Sequence, residues 1–254
     1  MTLHSILTIV LALPILAGPV HAQPPAAADP RIDRIFAAYD RNDSPGCMVG
    51  VVRDGKLVYG RGYGMADLDH DIPNGRGMVY YVGSVSKQFT AAAIGLLALD
   101  GRLSLDDDVR KWIPELPDYA RTYGRPVTVR HLVHHTGGLR DIYALMGLRG
   151  DRMEDVLPDS EALALVARQK GLAFAPGTRY SYSNSGYFLL GQIVQRASGQ
   201  SLREFAQARI FGPLGMTRTH FHDDGMHVLK GRAFSYAKDS TGEWRLAWRQ
   251  NFDK

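Results

Sequence analysis

The sequence predicts an α/β (α+β) protein: an antiparallel sheet flanked by helices, with a helical lobe inserted between its strands. Three features carry that expectation. Apolar, strand-like runs joined by turn signals occur near both ends, around Asp54-Gly55-Lys56 and Asp239-Ser240-Thr241-Gly242. Between them, the spacing of apolar residues is mainly helical. A chain of 254 residues is also long enough for one sizeable core, expected in two lobes.

Taken in order, Met1 to Ala22 reads as a cleavable secretory signal, with an apolar stretch from Ile6 to Ile15 and small residues around Ala22. The run is broken by Pro14 and is too short to span a bilayer. The expectation is a periplasmic or secreted protein, with residues 23–254 as its domain and no integral membrane segment after cleavage. Gln23 to Asp29, rich in Ala and Pro, is a lead-in. Ile32, Ile35, Phe36 and Tyr39 predict a helix over Asp29–Arg41 with one buried stripe. Cys47–Arg53 and Leu57–Tyr63 predict a hairpin, and Met78–Val82 a further strand.

From Ser84 to Asp100 the pattern is helical, stopped by Gly101. Val85, Phe89, Ala92, Leu96 and Leu99 are its expected core stripe, with Ser84 and Lys87 off the stripe at its N-terminus. Further helices are expected over Leu105–Ile113, Thr128–His134, Ser160–Gln169 and Gly186–Ala197. Ser201-Leu202-Arg203-Glu204 is a capping box opening a helix that runs to Ile210. Arg232–Ala237 and Trp244–Trp248 complete the elements as a second hairpin.

Composition excludes several classes. Net charge is +4 with scattered Lys and Arg, so there is no basic stripe for nucleic acid. Cys47 is the only cysteine, which rules out an intramolecular disulfide, and its apolar surroundings point to a buried structural thiol.

Ser84-Val85-Ser86-Lys87 carries a chemical argument. On a helix, i and i+3 share a face, so the ammonium lies one turn from the hydroxyl. A serine hydroxyl is a weak nucleophile until a neighbour takes its proton, and a desolvated lysine or a tyrosinate can do that. The pattern alone is weak: with 13 serines and 7 lysines, chance supplies about 0.4 matches. A second copy indeed occurs at Ser235–Lys238, but in an expected strand, where i and i+3 face opposite sides. Ser84 instead follows a strand and opens a helix, where free N–H groups and the helix dipole favour developing negative charge. Tyr182 and Asn184 lie in a polar loop, Tyr180 to Asn184, just before an apolar helix.

These motifs together resemble the penicillin-recognising serine hydrolases, in particular the class C β-lactamase branch. The related pattern is S-x-x-K, S-D-N and K-T-G, with Tyr182-Ser183-Asn184 here in place of Ser-Asp-Asn. The likeness extends to Gly60–Gly64, Leu132–Leu139, Tyr180–Gly186 and Pro213–Met216. It implies a β-lactamase/DD-peptidase-like fold and acyl-enzyme hydrolysis of amide, β-lactam or ester bonds. It implies Ser84 as nucleophile, Lys87 as its proton acceptor or as the group that depresses the Tyr182 pKa, and Tyr182 as proton shuttle. Asn184 would bind a substrate amide, and the Ser84 N–H would supply one oxyanion donor. The implied partner is a small-molecule or peptide substrate, with no cofactor; oligomeric state is left open.

Two histidine groups have ligand-like spacing. His131, His134 and His135 fall at i, i+3 and i+4, but in the family this segment leads into a His-Thr-Gly-Gly-Leu turn. His220-Phe221-His222-Asp223-Asp224 lacks the closing histidine of metallo-hydrolases and is expected to be an exposed loop. Neither is taken as a metal site.

No Lys-Thr-Gly or His-x-Gly segment follows Tyr182 in the family's order; Lys238–Gly242 has two residues inserted. With the chain stopping at Asn251–Lys254, the sequence reads as a truncated member with its C-terminal strands missing, expected to be poorly soluble and nearly inactive. The rival from another class is a non-catalytic protein that binds cell-wall peptides. An α/β-hydrolase is not supported, because Gly-x-Ser-x-Gly is absent.

Overall fold

A computed structural model describes residues 29–152, 155–224 and 226–247. The expected signal segment, Trp248 and Asn251–Lys254 lie outside the described residues. Helix α1 (Pro30–Phe36) starts where Asp29 accepts the Arg31 N–H and Pro30 occupies the first turn. It then tightens into a 3₁₀ turn at Ala37–Tyr39. The expected buried stripe is not there. Ile35 and Tyr39 are exposed, and only Ile32 and Phe36 are half-buried, Phe36 stacking on Tyr63.

Strands β1 (Cys47–Arg53) and β2 (Lys56–Tyr63) form the expected antiparallel hairpin. Asp54 and Gly55 have φ of +50° and +70°, the pair of left-handed residues that a two-residue loop needs to match strand twist. Short strands β3 (Met65–Asp67) and β4 (Ile72–Pro73) pair next to it. Near the other end, β5 (Tyr236–Lys238) pairs with β6 (Trp244–Leu246). Cys47 is half-buried, and burial pushes its thiol pKa up.

The Met78–Val82 strand does not form. Its remnant is one bridge, Val79 to Arg232, held by Val79 N–H to Gly231 O (2.7 Å) and Ala233 N–H to Val79 O (2.9 Å). Tyr80 instead turns its hydroxyl onto Asn74 and Gly75. Remote parts of the chain do meet, as the fold class requires: Phe234 N–H also reaches Ala66 O, and Leu68 N–H reaches the Tyr236 hydroxyl.

The helical lobe is built on α2 (Lys87–Leu99), α3 (Tyr119–Tyr123), α4 (Val129–Val133), α5 (Ile142–Arg149), α6 (Asp159–Ala167), α7 (Asn184–Ser198) and α8 (Leu202–Ala206). The Leu105–Ile113 helix reduces to a 3₁₀ turn at Val109–Lys111, because Asp108 pairs with Thr128 and pulls the backbone into an extended bridge. The Ser201 capping box is present, with Glu204 N–H on Ser201 Oγ and Ser201 N–H on Glu204 Oε2. A π-helical turn, Gln207–Phe211, extends α8.

The core stripe of α2 is one residue out of phase with the expected one. Thr90, Ala93, Ile94 and Leu97 are buried, while Val85, Ala92 and Leu99 are exposed. Phe89 and Leu96 of the expected stripe stay half-buried against the core, so the buried face is centred one residue on, where α7 covers it. The buried face packs on α7, whose Leu189, Leu190, Ile193 and Val194 are fully enclosed. This α2–α7 contact fixes the starts of both helices, and both starts carry residues of the candidate site.

Candidate active site

Gly83, at φ +53°, turns the chain into the 3₁₀ segment Gly83–Ser86, and Lys87 is the first residue of α2. Ser84 sits exposed in that segment, and the Lys87 ammonium donates to its Oγ at 3.2 Å. The one-turn spacing therefore delivers the contact expected of it, through a tighter turn.

The second half comes from the loop before α7. The Tyr182 hydroxyl donates to Ser84 Oγ at 2.7 Å, and Asn184 Oδ1 accepts from the Lys87 ammonium at 2.9 Å. Segments nearly a hundred positions apart thus meet, Lys87 and Tyr182 on the Ser84 hydroxyl and Asn184 on the Lys87 ammonium. The loop is pinned from behind: Gly177 N–H bonds Thr136 O, and Ser181 N–H bonds His135 O. Ser183 caps α7 through the Gly186 N–H. Gly138, at φ +74°, lets the preceding turn pass within reach of Phe174 O, where a Cβ would sit 2.3 Å from that oxygen.

Two residues that spacing did not single out for this role join the site. His135, at φ +56°, accepts the Ser183 N–H on Nδ1 at 3.1 Å and lays its ring 4.5 Å from that of Tyr182 and 5.0 Å from that of Tyr187. Asp141 accepts both the backbone N–H of Asn184 (2.6 Å) and its side-chain Nδ2 (2.9 Å). A signal for Asp141 was available, since an Asp directly before Ile142-Tyr143-Ala144-Leu145 has the pattern of a helix N-cap. It is the N-cap of α5, with its side chain accepting the Tyr143 N–H.

Electrostatics follow from this packing. Burial raises the Tyr182 phenol, but its contacts with Lys87 and Ser84 and the Lys87 charge outweigh that, leaving its pKa below the ordinary tyrosine value. The Lys87 ammonium lies 5.1 Å from the Tyr182 ring centre and 5.6 Å from that of Tyr187. Burial first, then the Lys87 charge, hold His135 below the usual histidine value, matching the unprotonated Nδ1 that accepts from Ser183.

Helix α4 ends at Val133, so His131, His134 and His135 do not share one helix face. His131 completes a capping box with Thr128, its Nδ1 accepting the Thr128 N–H. His220 and His222 are half-buried rather than exposed, their rings 5.8 Å apart. Among the described residues, no group of three or more His, Cys, Asp or Glu is placed to hold a metal ion. In the second Ser-x-x-Lys, Ser235 precedes β5 and Lys238 ends it, with the Lys238 ammonium over the Trp244 ring. Among the described residues, no helix is long and apolar enough to cross a membrane.

A hydroxyl flanked by an ammonium and an acidified phenol can be deprotonated and can attack an electrophilic carbon. Comparison with known proteins agrees with that chemistry. The chain is 36% identical over 183 residues to a D-aminopeptidase of Cereibacter sphaeroides, covering 72% of this chain and 34% of that protein. It superposes on the octameric penicillin-binding protein homologue from Pyrococcus abyssi with TM-score 0.71 and 33% identity, over 85% of this chain and 49% of the other. The D-amino acid amidase from Ochrobactrum anthropi SV3 gives TM-score 0.58 and 28% identity, over 77% and 53%. The chain thus spans about a third of the curated relative's length and about half of each solved structure's. A family model described as Beta-lactamase matches residues 32–250, nearly the whole of the described chain, and on that match the chain belongs to the β-lactamase family.

Proposed function

We propose that the protein is a serine hydrolase that forms an acyl-enzyme at Ser84 on amide carbonyls of small molecules or peptides, with β-lactams and esters as further acyl donors. The observation that carries this reading is the convergence of Lys87 Nζ and Tyr182 OH on Ser84 Oγ, at 3.2 and 2.7 Å. With the phenol ionised, the Tyr182 contact reverses and accepts the serine proton. Ser84 Oγ then bonds to the carbonyl carbon, whose oxygen takes the negative charge near the Ser84 N–H. The C–N bond breaks as Tyr182 returns the proton to the leaving amine. Water attacks the ester carbon in turn as Tyr182 takes its proton; the C–Oγ bond then breaks, Ser84 Oγ recovers that proton from Tyr182, and the acid is released. Asn184 Nδ2 carries two hydrogens; Asp141 takes one, and the other suits a substrate carbonyl. The relatives named D-aminopeptidase and D-amino acid amidase favour amides among the three bond types. Export to the periplasm or medium, read from Met1 to Ala22, belongs to the same proposal.

The test is covalent labelling with a fluorescent fluorophosphonate and a fluorescent penicillin, followed by mass spectrometry of the adduct. Labelling at Ser84 that disappears in Ser84→Ala is the expected result. A folded protein that takes up neither probe favours the non-catalytic binder.

A further inference from the structure

Asn184 presents its carbonyl end to Lys87, and an amide can present either end. A carboxylate only accepts hydrogen bonds and an ammonium only donates them, so an amide between the two has one satisfied orientation. Asp141 Oδ2 takes the Nδ2 of Asn184 at 2.9 Å and the Asn184 backbone N–H at 2.6 Å, while Asn184 Oδ1 takes the Lys87 ammonium at 2.9 Å. The other oxygen of Asp141 caps α5 through the Tyr143 N–H at 3.0 Å. One carboxylate therefore ties the start of α5 to the start of α7 and orders the amide between itself and Lys87.

We propose that Asp141 is a positioning residue of the Ser84 centre: it fixes the direction of the Asn184 amide, and through it holds the Lys87 ammonium against Ser84 and Tyr182. The proposal rests on the reading of Ser84 as nucleophile. Among the described residues Asp141 makes no hydrogen bond to Ser84 or Tyr182, so its positioning effect, as distinct from its charge, travels through Asn184 and Lys87.

Three roles for Asp141 predict different pH behaviour of the Tyr182 phenol. The groups facing that phenol are Ser84 and Lys87 from the start of α2, His135 after α4, Asp141 and Tyr143 at the start of α5, and Tyr187 of α7. The carboxylate charge acts directly to raise the Tyr182 pKa, and Lys87 acts more strongly to lower it. If Asp141 were only a nearby charge, removing it would lower that pKa. If it were only a helix cap, an Asn in its place would change nothing, because Asn caps as well as Asp. If it positions Lys87, its removal loosens the stronger influence and the pKa rises.

The experiment measures the rate of fluorophosphonate labelling at Ser84 across the neutral-to-alkaline range, with thermal unfolding of each variant alongside. The proteins are the unsubstituted chain, Ser84→Ala, Asp141→Asn, Asn184→Ala and the Asp141→Asn/Asn184→Ala pair. Asp141→Asn is expected to melt close to the parent, label roughly 10–100-fold more slowly, and shift its acid limb to higher pH. Asn184→Ala cuts the same link while leaving the α5 cap intact, and should shift the limb the same way. In that background Asp141→Asn should change the rate by less than about twofold, since the link is already broken. A limb that moves to lower pH or stays in place, or effects of the two substitutions that simply multiply, overturns the positioning role. Absence of Ser84-dependent labelling in the unsubstituted chain instead removes the nucleophile reading on which the proposal stands.

Discussion

At the scale of single residues, Ser84 Oγ receives both the Lys87 ammonium and the Tyr182 hydroxyl, so the two substitutions that matter most have separable consequences. Tyr182→Phe removes the proposed proton acceptor and leaves the ring packing on His135, and should reduce hydrolysis by about 10²–10⁴-fold without a matching loss of stability. The pH dependence follows from sign. In the proposed mechanism the active phenol is the ionised one, so activity should rise with pH through the Tyr182 pKa, which lies below the ordinary tyrosine value because of Lys87 and Ser84. Lys87→Ala should therefore push the acid limb to higher pH as well as slow the reaction, whereas Lys87→Arg keeps the charge and much of the limb's position. A pH–rate profile of amide or ester hydrolysis checks both; an unmoved limb in Lys87→Ala would show that another group sets it. Ser84, Lys87, Tyr182 and Asn184 were legible because a short spacing and an ordered set of motifs pointed to them. Asp141 and His135 were not read as parts of the site. Their partners lie 43 and 48 positions away, and no periodicity encodes which loop a folded chain lays over another.

At the scale of elements, the helices and the first hairpin were readable where local chemistry dominates, as at Asp54-Gly55 and at the Ser201 capping box. They were misread where a neighbour decides. Packing on α7 centred the buried face of α2 one residue beyond the expected stripe, and the Asp108–Thr128 bridge drew an expected helix into extended backbone. Phase has an energetic consequence that can be measured. Leu97 is fully buried against α7, and Leu97→Ala should cost about 2–5 kcal/mol through lost transfer energy and the cavity left behind. Leu99, which the sequence pattern placed on the core stripe, is 85% exposed, and Leu99→Ala should stay within about 0.5 kcal/mol of the parent. Denaturant unfolding of the two variants compares the phases directly. Equal destabilisation would mean that α2 turns the other face toward α7. Loss of labelling in Leu97→Ala beyond its loss of stability is also expected, since the α2–α7 contact sets the distance between Ser84 and Tyr182.

At the scale of the whole molecule, the large apolar core belongs to the helical lobe, running from Ala93 to Phe211. The strand-rich part has Tyr59, Tyr63, Met65 and Ala66 buried outside that cluster, and a polar knot ties it to the N-terminal helix. Asp33 Oδ1 accepts from the Tyr59 hydroxyl (2.6 Å), the Tyr63 hydroxyl (2.8 Å) and the Arg61 guanidinium (2.8 Å), and the two phenols also bond each other. Arg61 reaches on to Asp40 at 2.6 Å. These contacts, with Tyr59 first, hold the Asp33 carboxyl down at about 2 against an ordinary 3.8. Because the folded-state value is the lower one, the knot stabilises the fold fully above pH 3.8, and that contribution is lost as pH falls from there through about 2. Protonation converts the acceptor into a neutral acid beside two phenols and an arginine, and burial then leaves donors short of partners. Asp33→Asn should accordingly lower the urea midpoint at neutral pH, and should flatten its dependence on pH in the acid range, because the substituted side chain has no proton to gain. The measurement is a series of urea unfolding curves from neutral to acid pH for both proteins. Curves that stay parallel over that range would mean that Asp33 does not carry the acid sensitivity, and that the strand-rich part is held to α1 by the stacking of Phe36 on Tyr63 instead.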